Sequence, residues 1–155
     1  MLNSKEKFIN LILSQKAKNN LNMVVFKNCK NKEDFLSFIK TIKEGNISHA
    51  LLDNIGQLKK MNHIFLNTFL KNKLVASCHL DITGEWAFLW RFAVRKKYRG
   101  KGVGSLVLTE LINILKNNGC RVFQISCPKN LGKFYTSLGF NIIASEAFFL
   151  EKRFK

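Results

Sequence analysis

Carboxylates are scarce in this chain. Ten Asp and Glu stand against 26 Lys and Arg in 155 residues, a formal charge of +16. No apolar run approaches the ~20 residues that a membrane-spanning helix needs. The N-terminus carries Lys and Asn where a signal peptide would have an apolar segment. A soluble, cytoplasmic protein without membrane contact is therefore expected. Cys-x-x-Cys pairs are lacking too: Cys29, Cys78, Cys120 and Cys127 are scattered, three of them in or beside apolar strand patterns. Reduced, mostly buried thiols are expected, and no metal site. There is no repeat, no low-complexity linker and one proline, so the chain reads as a single domain over residues 1–155.

What is present is apolar material, at 46% of residues with 14 Phe, enough for a packed core. The positive charge has two readings. Clustered Lys and Arg neutralise polyanions and would suit an acidic or RNA-linked partner. The Lys residues are spread along the whole chain beside abundant Asn, however, which a compositional bias explains equally well.

Periodicity predicts a helix over Ser4 to Asn19, an N-terminal extension of about residues 1–20, then a strand at Met23 to Phe26. Asn31 caps a helix with the stripe Phe35, Phe38, Ile39 and Ile42, stopped by Gly45, and Ser48 caps another through Met61. Strands follow at His63 to Leu70, Leu74 to Ile82 and Trp86 to Val94, an antiparallel meander whose third member is apolar on both faces. A helix with Val103, Leu106, Val107, Leu111, Ile114 and Leu115 on one face runs to Asn118. The strand Arg121 to Ser126 comes next, parallel to the one before the helix. Pro128 precedes a short helix with Leu131, Phe134, Tyr135 and Leu138, and two strands, Phe140 to Ala144 and Ala147 to Phe154, close the chain. The fold class is α+β (mixed α/β), a mostly antiparallel mixed sheet with helices on both faces.

The informative stretch lies between the third meander strand and the following helix. Arg95, Lys96, Lys97, Arg99 and Lys101 surround Gly100, Gly102 and Gly104. A glycine-rich loop running into a helix N-terminus gathers backbone N–H groups on one point and adds the positive end of the helix dipole. A phosphate or pyrophosphate is the expected ligand. The stretch does not satisfy G-x-x-x-x-G-K-[ST], nor G-x-G-x-x-G with its downstream acid.

It does satisfy R-x-x-G-x-G, at Arg99 to Gly104. Downstream stands Phe134-Tyr135-Thr136-Ser137-Leu138-Gly139-Phe140. Together, in this order, they resemble the acetyl-CoA signature and the F-Y-x-x-L-G-F ending of the GCN5-related N-acetyltransferases (GNAT), over roughly Leu74 to Phe154. The resemblance implies acetyl transfer from acetyl-CoA to a primary amine. The acceptor would be an unidentified small molecule, protein or aminoacyl-tRNA. It implies pantetheine pairing with the backbone of Phe92, Ala93 and Val94. Pyrophosphate binding would fall to Arg99, Gly100, Lys101, Gly102, Val103, Gly104 and Ser105, with Asn130 and Tyr135 also on the cofactor. Tyr135 would protonate the leaving thiolate, although its place on an apolar stripe also suits plain packing. An oxyanion donor is expected from a backbone N–H near Val94.

The base is less clear. Many members carry a Glu in the central strand, where this chain has Phe88, Leu89 and Trp90. Glu85, His79 and Asp81 are the remaining candidates, and a water relay is another. That departure leaves room for an alternative, a non-catalytic CoA-sensing or nucleic-acid-binding module. The sequence is equally compatible with a monomer and a homodimer.

Overall fold

In a computed structural model, residues 21–25, 32–45, 63–144 and 149–154 are described. The predicted helices over Ser4 to Asn19 and after Ser48 lie outside them. The chain forms β1 (Leu21–Val25), α1 (Lys32–Glu44), β2 (His63–Leu70), β3 (Lys73–Thr83) and β4 (Trp86–Val94). A 3-10 turn at Lys96–Tyr98 leads to α2 (Val103–Asn117), β5 (Val122–Ser126) and a second 3-10 turn at Lys129–Leu131. Then come α3 (Gly132–Ser137), β6 (Asn141–Ala144) and β7 (Phe149–Arg153).

All seven strands join one sheet in the order β1-β2-β3-β4-β5-β7-β6. Every pairing is antiparallel except β4 with β5, the two strands joined through α2. A helical crossover is what a parallel pair requires. The meander therefore forms as its turn signals imply, with Lys71 and Asn72 at positive φ in the β2–β3 turn.

The two faces of the sheet are built differently. On one, Leu108, Leu111, Ile114 and Leu115 of α2 pack with Leu66, Cys78, Leu80, Leu89, Phe123 and Ile125 from the strands. Side chains alternate along a strand, so the intervening positions meet the other face. There Phe38 and Ile42 of α1 are fully buried, and Phe38 stands edge-on to Phe65 with ring centroids 5.5 Å apart. Polar groups on this face are paired: the Ser77 hydroxyl donates to Asn67 Oδ1, and Asn67 Nδ2 donates to the carbonyl of Asp34.

Two irregularities shape the sheet's centre. Opposite β3, the register of β4 slips between the pairs His79–Arg91 and Leu80–Leu89, so Trp90 is an extra residue. Such a bulge bends the strand that carries it. On its other side β4 pairs with β5 only from Trp86 to Leu89, against Val122 to Ile125. Beyond that point the two strands part.

Candidate acyl-transfer cleft

The parting of β4 from β5 opens a cleft of 840 Å³. Its walls are Leu89 to Val94 of β4, Ile125 to Pro128 at the end of β5, the glycine loop with the start of α2, and Asn130, Leu131, Phe134 and Tyr135. The volume falls in the range of small-ligand sites. The β4 edge from Trp90 to Val94 has no β5 partner in the ladder, so a linear amide chain could pair there as an added strand would.

At one end of the cleft the loop after β4 turns into α2. Gly102, at φ 78, is the left-handed N-cap, and no side chain caps the helix. The first-turn N–H groups are thus left without side-chain acceptors, at the positive end of a 15-residue helix. Nothing stands within 4 Å of an imagined Cβ on Gly100 or Gly102, so the loop's surface is open to a ligand. Gly104 is tighter. A Cβ there would lie 3.3 Å from the Phe134 ring and 3.4 Å from a Val94 methyl. Helix α2 thus packs close to both β4 and α3. Open donors, an open loop surface and a free strand edge in one trough fit a pyrophosphate with a pantetheine arm.

The loop is braced from behind. Arg95 Nε and Nη2 donate to the two carboxylate oxygens of Glu44 at 2.8 and 2.9 Å, and the Lys96 backbone N–H donates to Glu44 Oε2 at 2.9 Å. Hydrogen bonding from Arg95, with that from Lys96, holds the Glu44 carboxyl down at about 2. Arg99 Nε donates to the carbonyl of Val94 at 3.0 Å and Nη2 to the carbonyl of Glu44 at 2.7 Å. The last carbonyls of α1 lack helical partners, so a guanidinium is well placed there. Arg99 thus ties the end of β4 to the end of α1 as well as lining the cleft.

Tyr135 is 4% exposed yet lines the cleft, with its ring edge-on to Phe134 and Phe140. Its hydroxyl makes no hydrogen bond among the described residues. Burial, with smaller contributions from Cys127 and Cys78, pushes its phenol well above the ordinary range. An ordinary phenol is protonated at neutral pH, and burial acts in the same direction. Burial likewise pushes the Cys78 thiol up to about 12 and raises that of Cys127.

The candidate site residues divide cleanly. Phe92, Ala93, Val94, Arg99, Gly100, Gly102, Val103, Gly104, Ser105, Asn130 and Tyr135 all line the cleft. Lys101 is exposed and does not. Glu85 lies elsewhere, in the turn before β4, beside Arg121 at 3.4 Å. Nine residues of strand, roughly 30 Å at about 3.3 Å each, separate it from Val94. His79 is 1% exposed and committed at both ring nitrogens. Arg91 Nη1 lies 2.9 Å from Nδ1, and His63 Nδ1 lies 2.7 Å from Nε2. A guanidinium only donates, so His79 accepts at Nδ1 and carries its proton on Nε2, towards His63. Burial first, then His63 and Arg91, pushes this imidazole down to about 3. With its Nδ1 lone pair taken, it is no proton acceptor for a substrate. Asp81 Oδ1 accepts from the Thr83 hydroxyl, and Asp81 too is absent from the cleft wall.

Glu44, Trp90, Arg91 and Cys127 also line the cleft, though none is a site candidate from the sequence. Arg91 did carry a signal, as the one charged residue within an otherwise apolar strand.

The chain is 28% identical over 107 residues to an uncharacterised Bacillus subtilis protein, YyaT, covering 68% of this chain and 71% of that one. A probable glucosamine 6-phosphate N-acetyltransferase of Drosophila melanogaster is 28% identical over 109 residues, covering 62% of this chain. The match spans about half of that relative, at 49% of its length. In structure, the chain resembles a PaiA N-acetyltransferase from Thermoplasma acidophilum solved in complex with coenzyme A. The TM-score is 0.61 at 18% identity, over 86% of this chain and 99% of that one. The family model for the acetyltransferase (GNAT) family matches residues 32–140, which take in the brace at Glu44, the parted strands, the glycine loop and Tyr135; the chain belongs to that family.

Proposed function

We propose that this protein is an N-acetyltransferase that takes the acetyl group of acetyl-CoA to a primary amine. The observation that carries the reading is the trough where β4 leaves β5, which has the uncapped start of α2 and Tyr135 in its walls. Acetyl-CoA, when bound, supplies a thioester whose C–S bond breaks as the acceptor's N–C bond forms, releasing the CoA thiol. The loop from Gly100 to Ser105 would hold the pyrophosphate through backbone N–H groups, with Arg99 fixing the loop's shape. Phe92, Ala93 and Val94 would hold the pantetheine along the free strand edge, and Asn130 would meet it from the opposite wall. Tyr135 holds a proton on Oη, available to the departing sulfur.

The amine must also lose a proton. Glu44 is the one carboxylate lining the cleft among the described residues, and Arg95 and Lys96 occupy it. Loss of the amine proton to water fits this wall better than a dedicated side-chain base. The free thiols Cys78, Cys120 and Cys127 suit a reducing compartment, and cytoplasmic placement agrees with them. No helix among the described residues is long and apolar enough to cross a membrane.

Titrating the protein with acetyl-CoA, then following thiol release with a panel of amines, tests the proposal. Saturable binding and amine-dependent thiol release are expected. Salt-sensitive RNA or DNA binding that ignores acetyl-CoA would overturn it in favour of a nucleic-acid module.

A further inference from the structure

A thiol stands in the wall of the cleft. Strand β5 ends at Ser126 and Cys127 follows it, beyond the last β4–β5 pair at Leu89 and Ile125. Half-buried, Cys127 packs against the core cluster that includes Phe123, Ile125 and Tyr135. Cys127 and Tyr135 both line the cleft, and Cys127 is near enough to the phenol to help push it upward. The other described thiols are out of reach: Cys78 is 2% exposed and Cys120 5%, and neither lines the cleft.

Tyr135 supplies a second, independent sign of a ligand at this spot. The residue is 4% exposed, and its hydroxyl makes no hydrogen bond among the described residues. The hydroxyl oxygen is not fully covered by protein either, and the open space beside Tyr135 is this cleft. In the reading above its partner is the sulfur of the cofactor. That sulfur and the sulfur of Cys127 therefore come to the same part of the cleft.

We propose that Cys127 is a modification site for oxidised cofactor, exchanging with the disulfide of coenzyme A to give a Cys127–CoA mixed disulfide that blocks the cleft. The S–S bond of CoA disulfide breaks as the bond between the Cys127 sulfur and one CoA sulfur forms. The proton of the Cys127 thiol passes through solvent to the second CoA, which leaves as the free thiol. Cys127 is oxidised and the departing CoA reduced, so no further oxidant is needed. Excess thiol reverses the exchange, so acetyl transfer stops under oxidising conditions and resumes on reduction. Burial raises the Cys127 thiol, and a protonated thiol exchanges slowly with disulfides met at random. A disulfide bound in the cleft is held beside it, and that high effective concentration offsets the small thiolate fraction. The inference rests on the reading of the cleft as the CoA site and adds a redox control to it.

The reduced native chain is incubated with CoA disulfide or, separately, with glutathione disulfide at equal concentration, and intact mass and peptide mapping follow the adduct. A single CoA on Cys127 is expected. It should form roughly tenfold faster than the glutathione adduct, and roughly tenfold more slowly under saturating acetyl-CoA. After desalting, the adduct should no longer bind acetyl-CoA in calorimetric titration, and dithiothreitol should restore binding. Cys127→Ser and Cys127→Ala should bind acetyl-CoA equally before and after the same treatment; if neither variant folds, the site mapped on the native chain decides. An adduct on Cys29, Cys78 or Cys120 instead, equal rates with glutathione disulfide, no protection by acetyl-CoA, or no adduct on a chain that binds acetyl-CoA would each overturn the inference. A chain that fails to bind acetyl-CoA would instead bring down the underlying reading.

Discussion

Arg95 and Glu44, 51 residues apart in sequence, meet in a two-point contact that fastens the end of α1 to the loop after β4. Both are largely shielded, with side chains 21% and 26% exposed. Glu44→Ala removes the carboxylate from two Arg95 donors and the Lys96 N–H together. The expected loss is about 1 kcal/mol of stability, since solvent screens part of the attraction. A several-fold rise in the Kd for acetyl-CoA should accompany it, because the loop loses its anchor. Chemical denaturation and calorimetric titration of the variant check both.

Gly102 is the position where backbone conformation matters most to binding. An Ala at φ 78 is strained by about 1–2 kcal/mol. Its methyl would also stand on the open face of the loop, where the proposed pyrophosphate would approach. Gly102→Ala is expected to raise the Kd for acetyl-CoA tenfold or more while Tm falls by only a few degrees. Gly104→Val should behave differently, pressing Phe134 and Val94 apart and lowering Tm more than affinity.

The buried His79 sets a direction for acid stability. Its folded-state value, about 3, lies below the ordinary 6.5, so between these values the unfolded chain binds the extra proton. Stability is therefore complete above about pH 6.5 and declines as pH falls towards 3, by at most about 1.4 kcal/mol per pH unit. Glu44, held at about 2 against 4.5, adds a loss of the same sign below pH 4.5. Melting curves from pH 7.5 to 4 should show falling Tm. His79→Gln, which keeps an acceptor for Arg91, should flatten the upper part of that decline.

Much of this was legible in the residues. The meander, the parallel crossover and the placement of Tyr135 follow from turn signals and apolar periodicity, which are local. Arg99 to Gly104, singled out by its resemblance to a family signature together with Phe134 to Phe140, does lie at one end of the cleft, except Lys101. Boundaries moved by a residue or two, as with Val122 for Arg121 and Asn141 for Phe140. The extra residue at Trp90 was not legible, since a bulge is defined by the partner strand's register. The Arg95–Glu44 brace depends on two elements meeting through the tertiary fold. Period-2 alternation put His79 on the polar side of β3 with Ser77 and Asp81, but could not show Phe65, Trp90 and Arg91 closing over it. Glu85 adjoins β4 in sequence, but strand direction puts it at the end of β4 away from the cleft.

In the proposed mechanism Tyr135 gives its proton to the sulfur leaving in this cleft. The most direct measurement is kcat for thiol release by Tyr135→Phe, with any amine that the native chain acetylates. The substitution keeps the ring against Phe134 and Phe140 and removes a hydroxyl without a hydrogen-bond partner among the described residues, so folding and acetyl-CoA affinity should hold. A fall in kcat of about a hundredfold is predicted, in line with the loss of a general acid. A kcat within twofold of the native value would contradict it.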